Sequence, residues 1–229
     1  MPDYYPVFLQ LQYRSCVVVG GGKIAAGKVD GLLEAGARVT VISPTLTVSL
    51  QEHLAARRIT WVRRHFRPGD LQGAFLVICA TNRPGVNARV WDEACANNQL
   101  VNVVDDTPRC NFIASSILRQ GDLAIAISTA GKAPALAVRL KERLQGELGP
   151  HYASFLDLAG KLRGPLAQHI PDFEARKELW YRLVDSDVLG LLERGDEAAA
   201  VLRISELVGF PFIPEEDPAA RALAPAGVL

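Results

Sequence analysis

A chain of 229 residues, 49% of them hydrophobic, is long enough for one large domain or for a domain with a smaller appendage, and it can bury a sizeable core. Lys and Arg together equal Asp and Glu at 25 each, so no bulk field draws the chain to nucleic acid or to a membrane surface. The apolar runs are too short to span a bilayer, the opening "MPDYYPVFLQLQYRS" has an early acid and no signal-peptide core, and Cys16, Cys79, Cys95 and Cys110 form no Cys-x-x-Cys pair, which points to reduced thiols in a cytoplasm rather than to zinc or a disulfide framework.

In chain order, the first half alternates strand and helix. "CVVVG" (16–20) is a short apolar run ending in glycine, as a buried parallel strand should. A helix begins at about Ile24; Ala25, Val29, Leu32 and Leu33 share one face, and Gly36 ends it. "RVTVIS" (38–43) is a second strand, "LTVSLQEHLAARR" (46–58) a helix and "ITWVRR" (59–64) a third strand. "AFLVICAT" (74–81) is apolar throughout, so it is expected to be buried on both faces. "PGVNARVWDEACANNQ" (84–99) is a helix with proline near its start, and "LVNVVD" (100–105) is a fifth strand. The alternation predicts an α/β fold with a Rossmann-like, doubly wound, mainly parallel sheet.

After Asp105 the pattern changes. "NFIASSILRQGDLAIAIST" (111–129) reads as two strands around Gln120-Gly121-Asp122, a hairpin. "PALAVRLKERLQGEL" (134–148) is an amphipathic helix with Leu136, Leu140 and Leu144 at helical spacing. Helices at "FLDLAGKLRGPL" (155–166), "FEARKELWYRLV" (173–184) and "DEAAAVLRISELV" (196–208) follow, joined by Gly, Pro and Asp, and "PEEDPAARALAPAGVL" (214–229) is a disordered tail. The expected organisation is a dinucleotide-binding domain over 1–112, a hairpin-helix region over 113–149, a helical domain over 150–213 and the tail.

The stretch "VVVGGGKIAAGK" (17–28) fits two phosphate-cradling patterns. From Gly22 it is Gly-x-x-x-x-Gly-Lys, but a P-loop needs Ser or Thr next to hold magnesium, and Val29 stands there. From Gly20 it is Gly-x-Gly-x-x-Ala. Gly20 permits the tight turn, Gly22 lets backbone approach a pyrophosphate, and Ala25 lets the helix pack on the strand. The helix N-terminus then faces the phosphates. The end of the second strand is "ISPT" (42–45), with neither the acid that reads an NAD ribose nor an arginine for a 2′-phosphate. Ser43 or Thr45 is left as the ribose contact, and these residues by themselves leave NAD versus NADP open. His53, His65, His151 and His169 have no His-x-x-x-His spacing and read as surface or packing residues, so no metal site is assigned.

Taken together, "YPVFLQL", "VVVGGGKIAAGK", "GARVTVISP", "ICATNRPGVN", "VNVVDDTPRCNFI", "AIAISTAGKAPALAVRLKERL" and "RKELWYRLVDSD" resemble the precorrin-2 dehydrogenase family, the N-terminal module of siroheme synthases, from about Tyr5 to about Leu207. The resemblance implies NAD-dependent oxidation of a tetrapyrrole, precorrin-2, to sirohydrochlorin, in some members with insertion of iron or another metal such as cobalt. It implies a homodimer built through the hairpin and the helix after it. It places an essential acid on Asp105, the dinucleotide loop on Gly20, Gly21, Gly22, Lys23 and Ile24, and nucleotide contacts on Ser43, Pro44, Thr45 and Thr81. A serine that carries phosphate in some relatives corresponds to Thr129. The methyltransferase half of those relatives has no counterpart here.

A carboxylate at Asp105, at the carboxyl end of the fifth strand, would take the proton that leaves as hydride goes to the nicotinamide. Partial burial under the macrocycle would raise its pKa. The alternative is that Asp105 merely caps the turn "DDTP"; Asp106 reads as the turn former. Arg14, Arg109 and Lys132 are candidates for the substrate's carboxylates by their proximity to these motifs. Two other readings are an NAD(P)-dependent oxidoreductase of another small substrate and a non-enzymatic nucleotide-sensing domain. The latter usually keeps the ribose-binding acid and lacks a helical region like 151–210.

Overall fold

The structure is a computed structural model and describes residues 4–214. The chain divides into two compact units, Met1–Ala114 and Ser115–Leu229.

In the first unit, β1 (Ser15–Val19), β2 (Arg38–Ile42), β3 (Ile59–Val62), β4 (Leu76–Cys79) and β5 (Leu100–Val103) form one parallel sheet in the order β3-β2-β1-β4-β5. The central strands are apolar on both faces because both are covered. Cys16, Val18, Val39 and Val41 pack against Ala25, Val29 and Leu32 of α1 (Lys23–Glu34) and Leu50 of α2 (Val48–Ala55). Val17, Val19, Val77 and Cys79 pack against Val90 and Ala94 of α3 (Pro84–Ala96), with Phe66 and Leu71 from the β3–β4 connection. Gly36, at φ +74°, ends α1 as expected.

The β3–β4 connection has no helix, and polar bonds set its course instead. Arg64 meets Asp70 at 2.6 Å, and Glu93 on α3 accepts from the backbone amides of Gly69 and Leu71 at 3.0 and 2.9 Å. The bonded Arg64 guanidinium holds the Asp70 carboxyl below the ordinary carboxylate range. This anchoring brings His65 and Phe66 back toward the carboxyl ends of the strands.

In the second unit, β6 (Ser116–Gln120) and β7 (Leu123–Ile127) pair antiparallel around Gly121-Asp122, the expected hairpin. α4 (Pro134–Glu147) follows, but its apolar stripe is only partly covered: Ala137 is buried, whereas Leu136 is 52% exposed. α5 (His151–His169), α6 (Phe173–Val184), α7 (Val188–Glu193) and α8 (Glu197–Val208) enclose a core of Leu158, Leu162, Leu183, Val188, Leu192 and Ile204. Two elements differ from the sequence expectation. α5 begins at His151 rather than Phe155, and α7 occupies a stretch read as a connector. Six residues are too few for a periodic signal, and Val188 and Leu192 are helical because the core takes them. The tail expected to be disordered lies, from residue 215 on, outside the described residues.

Candidate active site

A cavity of about 620 Å³ opens at the carboxyl ends of the parallel strands, where open α/β sheets bind ligands. Its floor is the turn from β1 into α1. Because α1 starts at Lys23, Gly27 and Lys28 lie inside the helix, so the P-loop reading fails on geometry as well as on chemistry.

The three glycines do different work. Gly20 sits at φ +129°, and a Cβ there would collide with the Ala80 carbonyl oxygen. A Cβ on Gly21 would collide with the Thr45 carbonyl oxygen and crowd the Ser43 hydroxyl. These two are required by the protein's own packing. Gly22 is the N-cap of α1, in extended backbone at φ −85° and ψ −176° that any residue adopts, with nothing within 4 Å of where its Cβ would be. That space faces the unpaired amides of the first helical turn, the natural seat of a phosphate. The loop therefore fits a dinucleotide pyrophosphate.

The loop after β2 is locked onto this floor. Gly20 N donates to Ile42 O at 3.0 Å, Thr47 N to Gly21 O at 3.0 Å, and Trp61 Nε1 to Ser43 O at 2.9 Å. Ser43, Pro44 and Thr45 all line the cavity. The buried Ser43 hydroxyl, however, donates to Thr45 O at 2.7 Å. Its proton is spent within the loop, so this hydroxyl could meet a ribose only as an acceptor, whereas Thr45 is exposed.

Thr81 also lines the cavity, and its hydroxyl is likewise committed, donating to Asn87 Oδ1 at 2.5 Å while accepting from Arg83 N at 3.2 Å. Asn87 returns a bond to Thr81 O at 3.2 Å and accepts from the Cys79 thiol at 3.2 Å. Burial pushes that thiol up to about 12, so it stays protonated. Sequence reasoning passed over Asn87 and Arg83 and read His65 as a surface or packing residue; His65 and Arg83 come from two separate loops to the cavity wall.

Asp105 lies on the cavity wall, exposed, in the turn after β5 at φ +60°. Its carboxylate has no hydrogen bond or ion pair among the described residues. Asp106 instead takes Arg109, at 2.7 Å, and precedes the 3₁₀ turn Thr107–Arg109. Asp105 itself holds the left-handed position of the turn that Asp106 N closes on Val103 O at 3.2 Å, contrary to the reading of Asp106 as the turn former, and it also lines the cavity.

The three substrate-binding candidates do not gather. Arg109 is tied to Asp106 and is absent from the cavity wall. Arg14 precedes β1, so it lies at the amino ends of the strands, over the Phe75 ring at 5.1 Å and beside a separate hollow with Gln72 and Gln99. Proximity in sequence to the glycine motif misled there, because one strand length separates the two ends of β1. Lys132 is exposed in the other unit, next to Thr129, whose hydroxyl accepts from Ala133 N at 3.2 Å. Among the described residues no three His, Cys, Asp or Glu side chains cluster as a metal site, and no helix is long and apolar enough to cross a membrane.

Three family models tile the chain: a putative NAD(P)-binding domain over residues 7–116, a sirohaem biosynthesis protein central region over 120–147 and a sirohaem synthase dimerisation region over 151–207. The siroheme synthase of Photobacterium profundum is 40% identical over 198 residues, covering 86% of this chain and 42% of the relative. Siroheme synthase 1 of Yersinia enterocolitica is 41% identical with the same coverage. The chain therefore spans less than half the length of these relatives. Among solved structures, SirC, a precorrin-2 dehydrogenase, superposes with a TM-score of 0.74 at 29% identity, covering 89% of this chain and all of the other. The motifs, the open glycine cradle and these matches agree: the chain belongs to the precorrin-2 dehydrogenase family, the N-terminal module of siroheme synthases.

Proposed function

We propose that this chain oxidises precorrin-2 to sirohydrochlorin with NAD as acceptor. The observation that carries the proposal is that an uncommitted carboxylate, Asp105, and an open phosphate cradle, Gly22 to Ile24, line one cavity. When bound, NAD supplies the hydride acceptor. The protein's own residues do the rest. The first-turn amides of α1 and the side chain of Lys23 hold the pyrophosphate. The Ser43–Thr45 loop, rigid through its bonds to the glycine turn, orients the adenosine ribose. Asp105 accepts the proton that the macrocycle releases. Arg109 and Lys132 lie outside this cavity, so any hold they have on the substrate's carboxylates is exerted elsewhere.

Insertion of iron or cobalt as a substrate would use the same carboxylate. The macrocycle offers the nitrogens, and the protein needs only a base for the pyrrole N–H protons. Following absorbance with precorrin-2 and NAD, with and without a divalent metal, tests both reactions. Sirohydrochlorin that appears only when NAD is present supports the dehydrogenase, and a further metal-dependent spectral change adds the chelatase. No spectral change with precorrin-2 and NAD would overturn the proposal.

The active form is a dimer on this reading. Ile117 on β6 and Leu136 and Val138 on α4 are 41%, 52% and 48% exposed, apolar side chains of the hairpin and its following helix that a two-fold partner would cover. Light scattering at micromolar concentration is expected to give about twice 24.8 kDa. A stable, active monomer would show that this surface needs no partner.

A further inference from the structure

The cavity that lacks an acid at the end of β2 has two cationic side chains on its wall instead. Lys23 and Arg83 line it together with His65, against one carboxylate, Asp105. Their positions along the sheet differ. Asp105 follows β5, three strands from β2, and at about 4.8 Å per strand that is roughly 14 Å from the ribose loop. His65 follows β3, the immediate neighbour of β2. Ser43 N donates to Val62 O at 3.2 Å, so the chain leaving β3 starts alongside Ser43 and reaches His65 three residues later. Arg83, the residue before α3, places Nη1 3.5 Å from His65 Nδ1. The contact joins the loop after β4 to the loop after β3, and both line the same cavity as Ser43–Thr45. The guanidinium has no ion pair among the described residues and stands exposed on the wall.

We propose that Arg83, oriented by His65, seats the 2′-phosphate of NADP beside the Ser43–Thr45 loop, so that the cavity accepts NADP as well as NAD. This rests on the reading of the cavity as a dinucleotide site. The physical logic has two parts. Nothing at the end of β2 repels a phosphate, since the position of the usual acid is held by Ser43, whose proton is turned inward to Thr45 O. A planar guanidinium offers several donors in a fork that matches phosphate oxygens. An arginine near this spot is how doubly wound folds accommodate a 2′-phosphate. Here it comes from the loop after β4 rather than from β2 itself, which is why the "ISPT" stretch alone held no sign of it.

The test is calorimetric titration of the full-length protein with NAD and with NADP, for the native sequence, Arg83→Gln and Arg83→Lys. The native protein is expected to bind NADP with a Kd within about tenfold of that for NAD. A charge-assisted hydrogen bond lost in Arg83→Gln should raise the ratio of the NADP Kd to the NAD Kd by roughly 10- to 100-fold. Arg83→Lys should recover part of it. Thr45→Asp, which sets a carboxylate on the same loop at an exposed position, should raise the ratio too, by repulsion. A ratio unmoved by Arg83→Gln, or a native protein that binds NAD and not NADP, overturns the assignment of Arg83 and leaves the dinucleotide site intact. A native protein that binds neither nucleotide fails at the site itself.

Discussion

Asp105→Asn is expected to lower the rate of sirohydrochlorin formation by roughly 10²–10⁴, the usual contribution of a positioned general base. NAD affinity should barely change, because the glycine cradle follows β1, two strands from the turn after β5. Asn suits the position unusually well. Asp105 holds φ +60°, a left-handed conformation that Asn tolerates as readily as any residue with a side chain. The substitution therefore removes the proton acceptor and keeps the turn. If the protein also inserts metal, that rate should fall with it, since the pyrrole protons have the same destination. A purely structural Asp105 predicts a different result. Its carboxylate bonds to nothing among the described residues, so Asn would cost almost no stability and leave turnover normal. Turnover measured beside the thermal midpoint separates the two. An unchanged rate would remove Asp105 from the mechanism.

Gly22→Asp should abolish NAD binding in a protein that folds as well as the native one, or slightly better. The backbone at Gly22 is extended and the space beyond its Cα is open, so a side chain costs the empty protein nothing. Gly22 is also the N-cap of α1, where Asp is favoured over Gly by a few tenths of a kcal/mol. The same carboxylate would stand about 4 Å from the pyrophosphate. At an effective dielectric of about 20 that repulsion is on the order of 4 kcal/mol, or about 10³ in affinity. Stability and binding thus move in opposite directions, a pattern that general damage does not produce. Titration calorimetry alongside thermal unfolding checks it, and an unchanged Kd would sink the fingerprint assignment. Gly21→Ala makes the contrast. Its Cβ would meet the Thr45 carbonyl oxygen, so there the loss of stability should accompany any loss of binding.

Much of this architecture was legible before any coordinates. Apolar runs such as "LVIC" (76–79) and the 3.6-residue spacing of Ala25, Val29 and Leu32 are local properties, and they dictated strands buried on both faces and a helix with one buried face. Val29 after Lys28 excluded the P-loop from sequence, and the structure only supplied the second reason, a helix already begun at Lys23. Asp105 could be placed at the carboxyl end of a strand because strand and turn are contiguous in the chain. The tertiary structure decided what depends on partners distant in sequence. Arg83 meets His65 across 18 positions, the Ser43 carbonyl is gripped by Trp61 across another 18, and the Ser43 and Thr81 hydroxyls are turned away from the ligand by bonds within their own loops. It moved Arg14 to the wrong end of β1 for the site, and it showed that packing demands glycine at positions 20 and 21 but not at 22. The physical reason is the same throughout. Periodicity and turn chemistry act over a few residues and are written in order along the chain, whereas a side chain's last hydrogen bond and a glycine's nearest neighbour are set by which loops the sheet brings together.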